Sequence, residues 1–167
     1  MSNPYQINEI QLSYKHQTQY RDIATVQNSE RAYTLLHNLW DQNRIELVED
    51  FKMLLLNRAC KVIGFYNVAS GGTGGVIADP KLIFVAALKT NAASIILAHN
   101  HPSGNLAPSE QDKSFTKRLT DAGQLLDVKL QDHIIVTNDG YYSFADQLAY
   151  NKMTLRDKVY FEALQPF

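Results

Sequence analysis

Residues 94–104 read SIILAHNHPSG and join a short apolar run to a polar, turn-forming segment. The apolar part, Ser94 to Ala98, predicts a central strand of a sheet. His99 and His101 follow two residues apart, so on an extended backbone their side chains point to the same side. A proline and a glycine then turn the chain sharply. The stretch therefore predicts a strand that ends by presenting two imidazoles to one metal ion.

Ser109 and Asp112 follow shortly after His101 and supply the second half of this candidate site. If Ser109 caps a helix, Asp112 lies in the first turn of that helix and can provide a third ligand. Two histidines and a carboxylate, with water in the fourth position, are typical of a catalytic zinc site, although other divalent ions accept the same ligand types. Ser-x-x-Asp is also a capping box in its own right, and the two interpretations are compatible.

The remaining sequence alternates between strand-like and helix-like patterns. Six segments are read as strands, and four segments are read as helices. The predicted strands are Ile10–Tyr14, Phe51–Leu56, Lys61–Val68, Ser94–Ala98, His133–Thr137 and Tyr141–Phe144, and the predicted helices begin at Ser29, Asp79, Ser109 and Ala145.

The order of these elements predicts an α/β protein. The Lys61–Val68 strand, the helix after Asp79 and the Ser94–Ala98 strand follow one another, which indicates a right-handed crossover with parallel pairing. The helix after Ser109 is expected to end at Gly123, because glycine commonly follows the last helical residue. Together, the predicted strands and helices indicate an α/β sandwich in which a mixed sheet has helices on both faces.

Composition sets limits on the class of protein. A chain of 167 residues suits one domain with a sizeable core. Its net charge is −1, so we expect no general attraction to nucleic acid or membranes. The single cysteine, Cys60, excludes a disulfide framework and a cysteine-based zinc site. The polar start, Met1 to Gln11, does not read as a signal peptide, which favours a cytoplasmic protein.

His99-x-His101, seven residues and then Ser109-x-x-Asp112 resemble the JAMM motif of the MPN/JAB metallopeptidases. The sequence is similar to the RadC family in particular, over roughly residues 29–150. The stretches that carry this resemblance are Ile95–Gly104, Pro108–Ser109, Asp132–Val136 and Tyr142–Phe144.

The resemblance implies a three-layer α/β/α fold of the cytidine-deaminase-like (JAB/MPN) type. It divides the chain into an N-terminal extension, residues 1–28, a RadC-like domain, residues 29–150, and a C-terminal tail, residues 151–167. It implies that His99, His101 and Asp112 ligate zinc, and that Ser109 supports the bound water or the oxyanion.

The family motif also needs an upstream glutamate, and Glu49 stands where the family carries it. Glu46 is the alternative, because element boundaries read from sequence are uncertain by a few residues. His133 has a family counterpart outside the motif, and it either supports a ligand or has a role in the core or a turn.

The implied function is zinc-dependent hydrolysis of an amide bond by a metallopeptidase or isopeptidase-like enzyme. The metal lowers the pKa of its water toward about 7, and Glu49 acts as general base and then general acid. The sequence does not reveal whether the substrate is a peptide, an isopeptide or another amide, nor the oligomeric state.

The alternative is a non-catalytic accessory module that works with DNA-processing or mobile-element proteins. RadC-like proteins often carry an N-terminal helix-hairpin-helix region, whereas this chain shows only a short extension there. We therefore expect no strong intrinsic binding of nucleic acid. A base deaminase on the related fold is set aside, because its His-x-Glu and Pro-Cys-x-x-Cys patterns are absent from the sequence.

Overall fold

The computed structural model describes Tyr14 and residues 24–72 and 76–152. Apart from Tyr14, the strand predicted at Ile10–Tyr14 lies outside these residues. The elements are α1 (Ser29–Asn38), β1 (Asp50–Leu56), β2 (Val62–Ser70), α2 (Pro80–Lys89), β3 (Ser94–Asn100), α3 (Glu110–Leu125), β4 (Lys129–Val136), β5 (Tyr141–Ser143) and α4 (Phe144–Lys152).

The five strands form one mixed sheet in the order β2-β1-β3-β4-β5. β1 is antiparallel to both β2 and β3, β3 is parallel to β4, and β4 and β5 form an antiparallel hairpin. Every residue of β1 and β3 is buried. Two registers matter for the site, because Phe51 lies opposite His99 and Leu97 lies opposite His133.

Alternation along the strands divides the core into two apolar layers, one on each face of the sheet. α2 and α3 cover one face, and α1 covers the other. The first layer includes Ile83, Phe84, Ala87 and Leu119 packed against Phe51, Met53, Leu55, Ile95 and Leu97. The second includes Ala32 and Leu36 packed against Leu54, Leu56, Ile96, Ala98, Ile134 and Val136. The expected α/β fold with helices on both faces is therefore confirmed.

The direct pairing predicted between β2 and β3 is wrong, because β1 lies between them; the two strands are nevertheless parallel to each other and are connected through α2. The continuous burial of β1 explains the arrangement, since a strand buried along its whole length needs a partner on each side. β2 occupies the edge of the sheet and is only partly buried. The parallel crossover between hydrogen-bonded neighbours runs from β3 through α3 to β4.

Two predicted helix ends are also wrong. The N-cap of α1 is Asn28 and not Ser29, because the Asn28 side chain accepts the Arg31 N–H at 2.8 Å. Gly123 lies inside α3 and does not end it. A Cβ atom at Gly123 would stand 2.3 Å from the carbonyl oxygen of Val128, so glycine allows the close approach of α3 to the start of β4.

Two features of the fold place the candidate site. β3 continues two residues beyond its predicted end, so His99 and Asn100 are strand residues. α3 begins directly after Ser109, as predicted, and its first turn lies beside the end of β3.

No helix in the described residues is long and apolar enough to cross a membrane. The division into an extension, a domain and a tail stays a prediction.

Candidate metal centre

His99, His101 and Asp112 lie together where β3 ends and α3 begins. The Nε2 atoms of His99 and His101 are 3.0 Å apart. Asp112 Oδ1 lies 3.3 Å from His99 Nε2, and Asp112 Oδ2 lies 3.8 Å from His101 Nε2. The His99 side chain is fully buried, whereas those of His101 and Asp112 are 17% and 15% exposed. The cluster therefore has a buried side and a side open to solvent.

A chain of hydrogen bonds determines which nitrogen of His99 carries its proton. Thr116 Oγ1 donates to the Asp112 carbonyl at 2.6 Å, so it must accept from His133 Nδ1, also at 2.6 Å. The neutral ring of His133 then has a lone pair on Nε2. That nitrogen lies 2.8 Å from His99 Nδ1 and accepts a hydrogen bond from the His99 Nδ1–H. Neutral His99 is therefore left with a lone pair on Nε2, facing the cluster.

His101 also has its Nε2 lone pair facing the cluster, but a different contact is responsible. Its Nδ1 lies 2.5 Å from the carbonyl oxygen of Asn105, which can only accept, so Nδ1 donates. In the neutral ring, Nε2 again has the lone pair. Two lone pairs that face each other at 3.0 Å, beside a carboxylate, repel one another unless a cation lies between them.

The spacing of the donor atoms fits a tetrahedral ion. Zinc–nitrogen and zinc–oxygen bonds of about 2.0–2.2 Å place ligand atoms roughly 3.3–3.5 Å apart in tetrahedral geometry. The observed separations of 3.0, 3.3 and 3.8 Å span this range. His99, His101 and Asp112 therefore have both the chemistry and the spacing to bind one metal ion.

Burial favours the neutral forms that a metal ligand requires. It lowers the pKa of His99 to about 4, an effect that Asp112 opposes and His101 reinforces. The pKa of His133 lies well below its usual value, because burial and the two neighbouring imidazoles disfavour a further positive charge. Phe51 stacks on the His99 ring, with centroids 5.4 Å apart, and adds to its desolvation.

Ser109 and Asp112 form the predicted capping box. Ser109 Oγ accepts the Asp112 N–H at 3.1 Å, and Asp112 Oδ2 accepts the Ser109 N–H at 2.8 Å. The Ser109 hydroxyl also donates to Asp112 Oδ2 at 2.6 Å. These contacts hold the carboxylate at the start of α3, so the same residue caps the helix and faces the histidines.

Glu49 and Glu46 lie in different places. Glu49 is half-buried and lines a cleft of about 430 Å³ together with His101, Ser109 and Asp112. Burial raises the pKa of Glu49 above its usual value; the nearby His101 opposes this rise and Asp112 adds to it. Glu46 is exposed and accepts a hydrogen bond from Asn138 at 2.6 Å. This placement supports Glu49, not Glu46, as the candidate general base.

Sequence reasoning missed two residues that organise the site. Thr116 lies one turn after Asp112 on α3, and its spacing from Asp112 is the only sequence signal that could have indicated it. Asn100 stands between the two histidines, where the alternation of a strand places its side chain on the opposite face of the sheet. His133 was left with two possible roles, and its contact with His99 supports the first, in which it orients a ligand.

The Thr116→Val substitution is expected to lower zinc affinity about 10- to 100-fold, the usual cost of losing a hydrogen-bonded partner behind a metal ligand. Valine keeps the shape but leaves the His133 Nδ1–H without an acceptor, so the His99 ring is no longer oriented. Competition with a chromophoric chelator measures the affinity.

Thr120→Val is the matched control, because Thr120 donates to the Thr116 carbonyl one turn away from the histidines. It should leave zinc affinity almost unchanged. Equal affinities for the two valine variants would show that the hydrogen-bond chain does not orient His99.

Comparison with known proteins agrees with the motif. The model of the RadC-like JAB domain matches residues 26–149. A UPF0758 protein of Flavobacterium johnsoniae is 48% identical over 99 residues, which cover 59% of this chain and 43% of that protein. The UPF0758 protein YfjY of Escherichia coli is 43% identical over 98 residues, which cover 59% of this chain and 61% of YfjY. The chain spans about half the length of the curated relatives it matches. Because the family model covers most of the chain, the protein belongs to the RadC-like JAB domain family.

Proposed function

We propose that this protein is a zinc-dependent hydrolase that cleaves an amide bond, in the manner of a metallopeptidase or isopeptidase. The observation that carries the proposal is the convergence of two Nε2 lone pairs and the Asp112 carboxylate in the cleft that Glu49 lines. Catalytic metal sites typically leave one coordination position open. They also typically have a nearby carboxylate that does not bind the metal and can act as general base.

Zinc is the proposed ion because its preferred ligands include imidazole nitrogen and carboxylate oxygen in tetrahedral geometry. His99, His101 and Asp112 would hold the ion. When bound, zinc supplies Lewis acidity toward water and a carbonyl oxygen.

Glu49 is proposed to accept the proton of the attacking water and to pass it to the leaving nitrogen. Its raised pKa favours the first step, because a higher pKa makes the carboxylate a stronger base toward the proton of the water. Phe51 and Phe115 line the same cleft and make part of its wall apolar.

Ser109 is proposed to assist the carbonyl oxygen as negative charge develops there. Its hydroxyl donates to Asp112 Oδ2 in the structure, so it must turn toward the substrate to play this part. Until it turns, its contribution is to orient Asp112.

The proposed substrate is a peptide, an isopeptide or another amide, since all three present the same scissile group. The net charge of −1 gives no reason to expect strong binding of nucleic acid. The cytoplasmic location stays a prediction.

We expect the purified protein to bind about one zinc ion per chain and to hydrolyse members of a quenched-fluorescence peptide and isopeptide library. A chelator should abolish the hydrolysis, and added zinc should restore it. The metal-free protein should remain folded by circular dichroism, because the two apolar layers do not depend on the site.

A protein that takes up no zinc on titration would contradict the proposal. Zinc uptake without hydrolysis, combined with sub-micromolar DNA affinity at physiological salt, would favour the accessory-module alternative.

A further inference from the structure

We infer that Asn100 is a positioning residue, which fixes the backbone on both sides of Glu49 and so aims the Glu49 carboxylate into the cleft. This inference rests on the proposed function, in which Glu49 is the general base. Asn100 is the residue between the two candidate ligands His99 and His101, at the end of β3.

The Asn100 side chain is fully buried, and all four of its hydrogen-bonding positions are used. Its Oδ1 accepts from the Asp50 N–H at 2.7 Å and from Trp40 Nε1 at 3.0 Å. Its Nδ2 donates to the carbonyl oxygens of Ile45 at 2.6 Å and Val48 at 2.9 Å. Three of the four partners are therefore backbone groups of residues 45–50.

These backbone partners lie next to Glu49 in the chain. Val48 provides the carbonyl and Asp50 the amide, so Asn100 holds the residues immediately before and after Glu49. The carbonyl of Glu49 itself accepts from Gly71 N–H at 2.8 Å. Residues 41–49 are turns and loop, with no strand ladder to hold them. Asn100 thus holds the backbone on both sides of Glu49, in addition to the Gly71 contact and the turn hydrogen bonds within residues 41–48.

The geometry of β3 gives this contact its significance. His99 and His101 face the cleft, and Asn100 faces the α1 side of the sheet, because side chains alternate along a strand. The end of β3 therefore presents His99 and His101 on one face of the sheet. On the other face, Asn100 holds residues 45–50, which include the candidate base Glu49.

Asparagine can donate two hydrogen bonds and accept two at this position, whereas aspartate or an apolar residue cannot. Aspartate would turn two donors into acceptors that face the carbonyls of Ile45 and Val48. An apolar residue would leave two buried carbonyls and two N–H groups unsatisfied. A purely structural Asn100 would share these requirements, so the test must separate loss of stability from misplacement of Glu49.

A double-mutant cycle makes the separation. In the zinc-loaded protein, Asn100→Ala is expected to lower kcat about 10- to 100-fold with little change in KM, because misplacement of a catalytic group affects the chemical step. In the Glu49→Gln background, the same substitution should lower kcat by less than about 3-fold, since the base through which it acts is already gone. Zinc stoichiometry is measured for every variant.

Hydrogen exchange of the zinc-free protein provides a readout that does not depend on activity. Asn100→Ala should make the Asp50 amide exchange at least about 10-fold faster, because that N–H loses its acceptor. Ser94→Ala is the matched control. It removes the contact with Gln131 at the other end of β3 and should leave the Asp50 amide and kcat unchanged.

If the Asn100→Ala variant does not fold, Trp40→Phe replaces it in the double-mutant cycle. It removes the Nε1–H donated to Asn100 Oδ1 along with part of a buried ring, leaves Asn100 itself in place, and should lower kcat about 3- to 10-fold, again only when Glu49 is present. Equal losses of kcat in the wild-type and Glu49→Gln backgrounds would overturn the inference while leaving the proposed function intact. A Glu49→Gln variant with wild-type kcat would overturn the inference together with the general-base role of Glu49 on which it rests.

Discussion

Glu49→Gln is expected to lower turnover by about 10²–10⁴-fold while zinc content stays near one ion per chain. Glutamine keeps the shape of the side chain but cannot accept the proton of the attacking water. Zinc content is unaffected because the cluster of close ligand atoms in the described residues consists of His99, His101 and Asp112. Steady-state hydrolysis and metal analysis of the same preparation measure the two quantities.

Glu46→Gln is the matched control, since it makes the same chemical change three residues earlier in the same loop. Glu46 is exposed and contacts Asn138, so neither turnover nor zinc content should change appreciably. If Glu46→Gln abolishes turnover and Glu49→Gln does not, the base has been assigned to the wrong residue. If neither variant affects hydrolysis, the general-base mechanism is wrong.

Asp112→Asn is expected to weaken zinc binding by more than about 100-fold, which exceeds the cost typical of losing a hydrogen-bonded partner behind a ligand. Asparagine removes the negative charge that offsets the ion. It also has one acceptor oxygen, whereas Asp112 uses Oδ1 toward His99 and Oδ2 toward Ser109. Zinc titration against a competing chelator measures the loss, and hydrolysis should fall with it.

Glu110→Gln controls for the loss of an acidic residue from the first turn of α3. Glu110 is exposed and pairs with Lys113 on the surface, so its substitution should leave zinc affinity unchanged. The thermal midpoint of both variants is measured without metal, because Asp112→Asn also alters a helix cap. Wild-type zinc affinity in Asp112→Asn would remove Asp112 from the ligand set.

The sequence by itself determined those features that depend on neighbours along the chain. Two histidines separated by one residue after an apolar run share a side of a strand, whatever the rest of the fold does. Ser109 and Asp112 form a capping box through contacts between residues three apart. The α/β class and the family membership followed from such local patterns, and the structure and the family comparison confirm both.

The order of the strands was decided only by the tertiary structure. The sequence predicted that β2 and β3 pair, but the insertion of β1 between them depends on which apolar strand is buried along its whole length. Local periodicity reports that a strand is apolar and does not report its partners.

The surroundings of the candidate site were likewise decided by long-range pairing. Glu49 comes beside the histidines because β1 pairs with β3 in the register that sets Phe51 opposite His99. His133 reaches His99 because β4 lies parallel to β3. Asn100 reaches Val48 and Asp50 across about fifty residues of sequence. The sequence places the candidate ligands at the end of one strand and in the first turn of one helix. The groups that orient them, and the candidate base, depend on contacts that form only when distant strands pair.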